Sequence, residues 1–174
     1  MPRRFVLISR WRLQTSPARL WELLVRPADW PAWWPHLATV CQLATGDRDG
    51  IGARYAFRWR SGLGYTLRIV MTTMRATSCC ELEAAASGDV SGIGLWLIEP
   101  DGSDAVRLTY RWDIELDRPW MRLCAPLLRG VFARRHFAVM AAGARGMAHR
   151  LACRLGEIEE WSAITPAAVR RADA

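Results

Sequence analysis

The chain changes its hydrophobic period once, and that change limits the folds open to it. Six consecutive segments between residues 37 and 116 have strand character, several with a two-residue apolar period, and short turns rich in Gly, Asp and Ser separate them. After Arg118-Pro119 the period becomes helical and continues to about residue 155. Short connections favour antiparallel neighbours. The order therefore predicts an α+β fold in which one curved antiparallel sheet wraps around a long C-terminal helix.

The residues before this run predict one further strand and two short helices. Residues 5–13 alternate with a period of two, which raises the predicted number of strands to seven. Ser16 followed by Pro17 is typical of a helix start, with a capping side chain and a proline at the first helical position. Residues 29–35 begin with a second plausible cap and allow only a turn or two of helix.

The long helix carries one apolar stripe. We expect Pro126 to divide a short lead-in from this helix. Gly143 lies within the stripe, where it costs about 1 kcal/mol relative to Ala, so it predicts a close approach by another group. The stripe consists of Phe132, His136, Met140, Gly143, Met147 and Leu151.

A single helix cannot fill the concave side of such a sheet, which predicts an internal cavity roofed by the short helices. If the aromatic face of residues 54–60 points inward, Tyr55, Phe57 and Trp59 line this cavity, while Arg58 and Arg60 face solvent. The same alternation in residues 80–84 and 106–114 places their charged side chains outside. No carboxylate is forced inward, so chemistry with paired carboxylates has no support.

Length and charge restrict the classes of protein. The 174 residues predict a single domain, residues 1–156, followed by a polar C-terminal tail, residues 157–174. The net charge of +7 comes entirely from arginine, and no arginine run exceeds two residues. This spread does not favour nucleic-acid binding, although an Arg-rich surface that docks on a protein or nucleic acid stays open as an alternative.

The cysteines and motifs predict neither a metal nor a cofactor. No Cys or His pair has zinc-site spacing, and there is no Gly-rich nucleotide loop. No apolar stretch is long enough to span a membrane, so we expect a cytoplasmic protein without stable membrane insertion. In that compartment we expect reduced thiols at all five cysteines. These are Cys41, Cys79, Cys80, Cys124 and Cys153.

Several motifs, taken together, resemble a known superfamily. They are Ser16-Pro17-Ala18, Trp21-Glu22-Leu23-Leu24, Trp30-Pro31-Ala32-Trp33-Trp34-Pro35, Gly64-Tyr65, Gly88-Asp89, Gly92, Gly94, Trp96, Tyr110-Arg111-Trp112, His136, Met140, Gly143, Gly146-Met147 and Leu151. Over roughly residues 3–155 the chain resembles the START-like, or SRPBCC, superfamily, and more narrowly its bacterial polyketide cyclase/dehydrase-like branch. The resemblance implies the helix-grip fold. It implies less about function, because this scaffold serves lipid carriers, hormone receptors, cyclases and oxygenase subunits.

We expect the cavity to bind a hydrophobic small molecule that is aromatic, polyketide-like or lipid-like. The alternative is a cofactor-free polyketide cyclase or dehydratase in which His136 and a cavity Tyr act as acid and base. The Trp33-Trp34 pair either closes the cavity mouth or fixes the short helix to the core. A homodimer is compatible with the sequence. The predicted ligand-binding residues are Trp33, Trp34, Tyr55, Phe57, Trp59, Tyr65, Trp96, Tyr110, Trp112, His136, Met140 and Gly143.

Overall fold

The computed structural model describes the backbone of residues 4–60, 64–116 and 119–163, and the side chains of residues 5–60, 64–115 and 130–162. Strand β1 is followed by helix α1, a short 3₁₀ helix, strands β2 to β7, helix α2 and strand β8. The bounds are β1 Arg4–Leu13, α1 Pro17–Leu24, the 3₁₀ helix Pro27–Ala32, β2 Leu37–Ala44, β3 Arg54–Arg60, β4 Thr66–Thr77, β5 Glu81–Gly88, β6 Val90–Pro100, β7 Val106–Leu116, α2 Pro119–Arg150 and β8 Leu155–Ala163.

The strands form one antiparallel sheet in the order β2-β3-β4-β5-β6-β7-β1-β8. The consecutive hairpins from β2 to β7 follow from the short turns in the sequence. Strand β1 then pairs with β7, so the first strand lies beside the last one of the meander. The expected architecture of one antiparallel sheet with a long C-terminal helix is therefore confirmed.

The structure corrects the predicted strand count from seven to eight. Strand β8 covers residues that we expected to begin a polar tail, and it pairs antiparallel with β1. Its side chains include several exposed glutamates, as is common on an edge strand, and only Leu155 and Ile158 pack against the core. Glu159 instead forms an ion pair with Arg10 of β1 at 3.2 Å. The rest of the expected tail, residues 164–174, lies outside the described residues.

The helices also differ from the expectation, since the second short helix is Pro27–Ala32 and not within residues 29–35, and α2 ends at Arg150 and not near residue 155. Helix α2 runs without a break from Pro119 to Arg150, so Pro126 does not divide it. A proline can remain inside a helix when the lost backbone hydrogen bond is offset elsewhere in the fold. Helix α1 begins as expected, since the Ser16 hydroxyl accepts a hydrogen bond from the backbone N–H of Arg19 at 3.3 Å. Among the described residues, no helix has the length and apolar character needed to cross a membrane.

The buried side chains form two hydrophobic clusters. One lies beneath α1 and the 3₁₀ helix and includes Leu20, Trp30 and Met147. The other lies farther along the sheet and includes Phe5 and Trp112, with Phe132 and Phe137 of α2 packed against it. Both clusters therefore lie between the concave face of the sheet and α2, and side chains of both border the same internal space.

Candidate functional site

A cavity of about 210 Å³ lies between the sheet and α2. Its walls come from all the strands except β2 and β8, from the 3₁₀ helix with its following turn, and from α2. An apolar cavity of about 150 Å³ can hold a benzene molecule. The volume therefore suits a compact ligand of one or two rings, with longer groups extending through the opening.

The structure places most of the predicted ligand-binding residues on the cavity wall. Alternation along the strands brings Tyr55, Phe57 and Trp59 inward, as the sequence predicts. Two of the predicted residues, Trp33 and Gly143, do not line the cavity. Those that do are Trp34, Tyr55, Phe57, Trp59, Tyr65, Trp96, Tyr110, Trp112, His136 and Met140.

Trp33 and Trp34 fix the segment after the 3₁₀ helix to α2. The two indoles stack with their ring centroids 5.4 Å apart. The indole N–H of Trp34 donates a hydrogen bond to the backbone carbonyl of Val139 at 2.8 Å, and a Cβ at Gly143 would overlap the Trp34 ring. Gly143 therefore admits the indole, which is the close approach that its position predicts. Trp34 also forms part of the cavity wall, whereas Trp33 only supports it.

His136 is a buried ionisable group on the cavity wall. It lies on α2 with its ring 5.5 Å from that of Phe137, and its Nε2 atom is buried without a hydrogen-bond partner in the described part of the chain. Burial disfavours the imidazolium ion and lowers the pKa of His136 to about 4. The side chain is therefore neutral at physiological pH, and its Nε2 atom can form one hydrogen bond with a ligand.

Tyr110 supplies a second neutral polar group. Its ring lies 4.2 Å from that of Trp96 and 5.9 Å from that of Trp112, measured between centroids. The hydroxyl is aimed at Gly94 of β6, where an added Cβ would lie 2.7 Å from the phenolic oxygen. Burial raises the pKa of the Tyr110 phenol well above its ordinary range, so this hydroxyl keeps its proton.

Two arginines line the cavity, and neither is among the predicted ligand-binding residues. Arg60, expected to face solvent, is the last residue of β3, and Arg135 precedes His136 on α2. They are the two exposed residues among the described ones that line the cavity, so they mark its opening. A long side chain at the end of an element can bend around the edge of a wall, and strand periodicity does not detect this.

No carboxylate is among the described residues that line the cavity. The described residues also contain no group of three or more His, Cys, Asp or Glu side chains suited to a metal ion. Apart from the two arginines, the polar groups on the wall are hydroxyls, indole N–H groups and His136. The interior can therefore offer a ligand apolar contact and a few hydrogen bonds, with positive charge only at the opening.

A family model described as "Polyketide cyclase / dehydrase and lipid transport" matches residues 10–156. No curated protein sequence matches the chain. Similar solved structures include a protein from Thermus thermophilus, at 16% identity and a TM-score of 0.72, with 84% of this chain and 97% of that one covered. A START superfamily protein from Mycobacterium smegmatis is 14% identical with a TM-score of 0.68, covering 84% of this chain and 97% of that one.

The Zhui aromatase/cyclase from Streptomyces sp. R1128 is also similar, at 12% identity and a TM-score of 0.66, with 84% of this chain and 96% of that one covered. At such identities the likeness concerns the fold alone. It confirms the START-like helix-grip fold that the sequence resemblance implies.

Proposed function

We propose that this chain, which belongs to the polyketide cyclase/dehydrase and lipid transport family, binds a compact hydrophobic molecule, aromatic or polyketide-like, in its internal cavity. The observation that carries the proposal is the character of the wall. Aromatic and aliphatic side chains dominate it, and none of its members in the described part of the chain is a carboxylate. Such a wall favours apolar ligands and gives orientation through a small number of hydrogen bonds.

The neutral groups on the wall support binding more than acid–base catalysis. A general base is most effective when its pKa lies near the working pH. A pKa of about 4 makes His136 a weak base at neutral pH and leaves little of the imidazolium ion, which is the form that acts as a general acid. Tyr110 retains its proton and can donate one hydrogen bond. Both groups are thus suited to holding a carbonyl or hydroxyl oxygen, or an aromatic N–H, in place.

The second candidate is a cofactor-free cyclase or dehydratase, and one observation favours it. His136 and Tyr110 border the same cavity, and the buried Nε2 atom of His136 has no partner among the described residues. A substrate that brings its own proton close to Nε2 could use this atom as an acceptor. Bound substrate can also change the pKa of a wall group, so a measurement of turnover tests this alternative.

The Arg-rich docking alternative receives less support from the structure. Several arginines outside the cavity are paired with carboxylates, among them Arg12 with Asp101 at 2.7 Å and Arg75 with Glu81 at 2.8 Å. Each pair reduces the net positive field that a phosphate backbone would meet. We also propose that the protein is cytoplasmic and that its five cysteines carry reduced thiols.

The proposal can be tested by titration with 2-naphthol, a neutral two-ring compound, followed by tryptophan fluorescence and calorimetry. Trp34, Trp59 and Trp96 line the cavity and should report occupancy. The variant Ala84→Leu places a larger side chain in the cavity, whereas Ala85→Leu changes the next residue, which does not line it. We expect saturable binding that is lost in Ala84→Leu and kept in Ala85→Leu.

Two outcomes would contradict this reading. Equal binding by both alanine variants would place the probe outside the cavity. Turnover of a poly-β-ketone substrate by the wild type, lost by about 100- to 10,000-fold in His136→Ala with little change in affinity, would establish the cyclase alternative. Thermal unfolding of each variant shows that a loss of binding does not come from a loss of fold.

A further inference from the structure

The opening of the cavity carries positive charge that the binding of a neutral hydrophobic ligand does not use. Arg60 and Arg135 are the exposed members of the wall, and they lie on different elements, the end of β3 and the middle of α2. Within the described part of the chain, neither side chain has a carboxylate partner within ion-pair distance. No described carboxylate therefore competes with an anionic ligand for either guanidinium group.

We propose that the ligand is an amphipathic anion, with an apolar ring system inside the cavity and one anionic group held at the opening by Arg60 and Arg135. This inference rests on the proposed function and deepens it by naming the class of ligand. Apart from the two arginines, the described residues of the wall carry no charged side chain that could stabilise an ionised group deeper in the cavity. The two arginines thus fix which end of the molecule enters first.

Arginine is suited to this role because its planar guanidinium group donates paired hydrogen bonds to a carboxylate or a phosphate. The absence of a carboxylate on the wall matters equally, because a nearby Asp or Glu would repel an anion and neutralise the arginines. Water at the opening weakens each contact, as it does for exposed ion pairs in general. We therefore expect a moderate preference for anions and not an absolute requirement.

The test compares 2-naphthoate with 2-naphthamide, which have the same rings and differ in charge. At low ionic strength we expect naphthoate to bind about 10-fold more tightly than the amide. Arg60→Gln and Arg135→Gln should each weaken naphthoate binding about 3-fold and leave amide binding unchanged. The preference should decrease as salt is raised, because exposed charges are screened. A third arm with 2-naphthyl phosphate separates a phosphate preference from a carboxylate preference.

The chain provides matched controls for both arginines. Arg58 lies on the same strand as Arg60, and Arg134 lies next to Arg135 on α2; both are exposed and neither lines the cavity. Arg58→Gln and Arg134→Gln change the net charge equally and should leave naphthoate binding unchanged. If they weaken it as much as the cavity variants do, the preference comes from the overall charge of +7 and the inference is wrong.

The outcomes also separate this inference from the proposed function. Equal affinity for naphthoate and naphthamide overturns the role of the arginines and leaves hydrophobic binding intact. Binding of neither compound overturns both proposals. Because Arg60 and Arg135 are exposed and lack ion-pair partners in the described residues, their replacement should not unfold the protein, and unchanged thermal unfolding confirms this for each variant.

Discussion

Replacing Gly143 by Ala should destabilise the protein, although the same change stabilises most helices. On helix propensity alone, Ala is favoured over Gly by about 1 kcal/mol. At this position the added Cβ would overlap the ring of Trp34, whose side chain is buried with only 2% of its surface exposed. Forcing a methyl group into a packed core costs about 1–3 kcal/mol. Displacement of the indole would also weaken its 2.8 Å hydrogen bond to Val139, a contribution of about 1 kcal/mol.

We therefore expect Gly143→Ala to lower the free energy of unfolding by about 1–3 kcal/mol, since overlap and the weakened hydrogen bond exceed the gain in propensity. In a chain of this length, that corresponds to a fall in Tm of about 3–10 °C. The control is Gly130→Ala on the same helix, where an added Cβ meets no atom within 4 Å. It should raise Tm by about 2–4 °C. Urea unfolding and calorimetry measure both variants.

A double variant tests the cause of the loss. In Trp34→Leu the side chain is too short to reach the positions of the indole atoms that an added Cβ at position 143 would meet, so Gly143→Ala should cost much less in that background. The difference between the two backgrounds is the coupling energy of the pair. If Gly143→Ala is neutral or stabilising in the wild-type background, the indole does not pack against α2 as described, and the assignment of Trp34 to the cavity wall is refuted as well.

Three further predictions concern other parts of the molecule. Folding lowers the pKa of His136 from about 6.5 to about 4, so the unfolded chain binds the proton first as the pH falls. The contribution of His136 to the free energy of unfolding should therefore be complete above pH 6.5 and decrease by at most about 3 kcal/mol towards pH 4. Urea unfolding of His136→Gln should lack this slope; an unchanged slope would assign it to other groups. Thiol titration of the denatured chain should find five free thiols, and a smaller number would indicate a disulfide. In the folded protein the exposed Cys41 and Cys80 should react before Cys153, because burial raises the pKa of the Cys153 thiol. Gly92→Ala should lower the free energy of unfolding, measured in urea, by about 1–3 kcal/mol, because Gly92 has φ of +145° and an added Cβ would overlap a backbone carbonyl oxygen. An unchanged free energy of unfolding would contradict that geometry.

Periodicity predicted the inner face of the sheet well because burial alone determines it. Tyr55, Phe57 and Trp59 lie on one side of β3, and the structure places all three on the cavity wall. The alternation needs no knowledge of the partner strands, since successive side chains in any strand point to opposite faces. The same reasoning predicted that α2 would turn its stripe of Met140 and Met147 towards the sheet, where both are buried.

Periodicity did not predict the elements at the edges of the sheet, because their side chains are only partly buried. Strand β8 has one paired edge, exposes most of its side chains and contributes mainly Leu155 and Ile158 to the core, so its sequence resembles a polar tail. Its pairing depends on β1, which lies more than 140 residues earlier in the chain. Periodicity also assigned Arg60 only to the solvent, because it does not account for a long side chain at the end of a strand, which is not confined to one face. Periodicity identifies the walls of this site but not its opening.

The retained cavity has an energetic consequence for the folded chain. In a protein core, each Å³ of cavity costs about 24 cal/mol of stability, so a fully enclosed apolar void of about 210 Å³ would correspond to about 5 kcal/mol. That is a large share of the 5–15 kcal/mol by which domains are stable, and water at the open end reduces it. Small side chains such as Ala84 and Ala133 border the void, and larger ones there would fill it. A domain that keeps this space among its packed tryptophans is less stable than one with a filled core, and the proposed ligand-binding function gives a reason for this cost. A ligand that fills the void should therefore recover part of the lost packing energy, which links the affinity of the cavity directly to the stability of the fold.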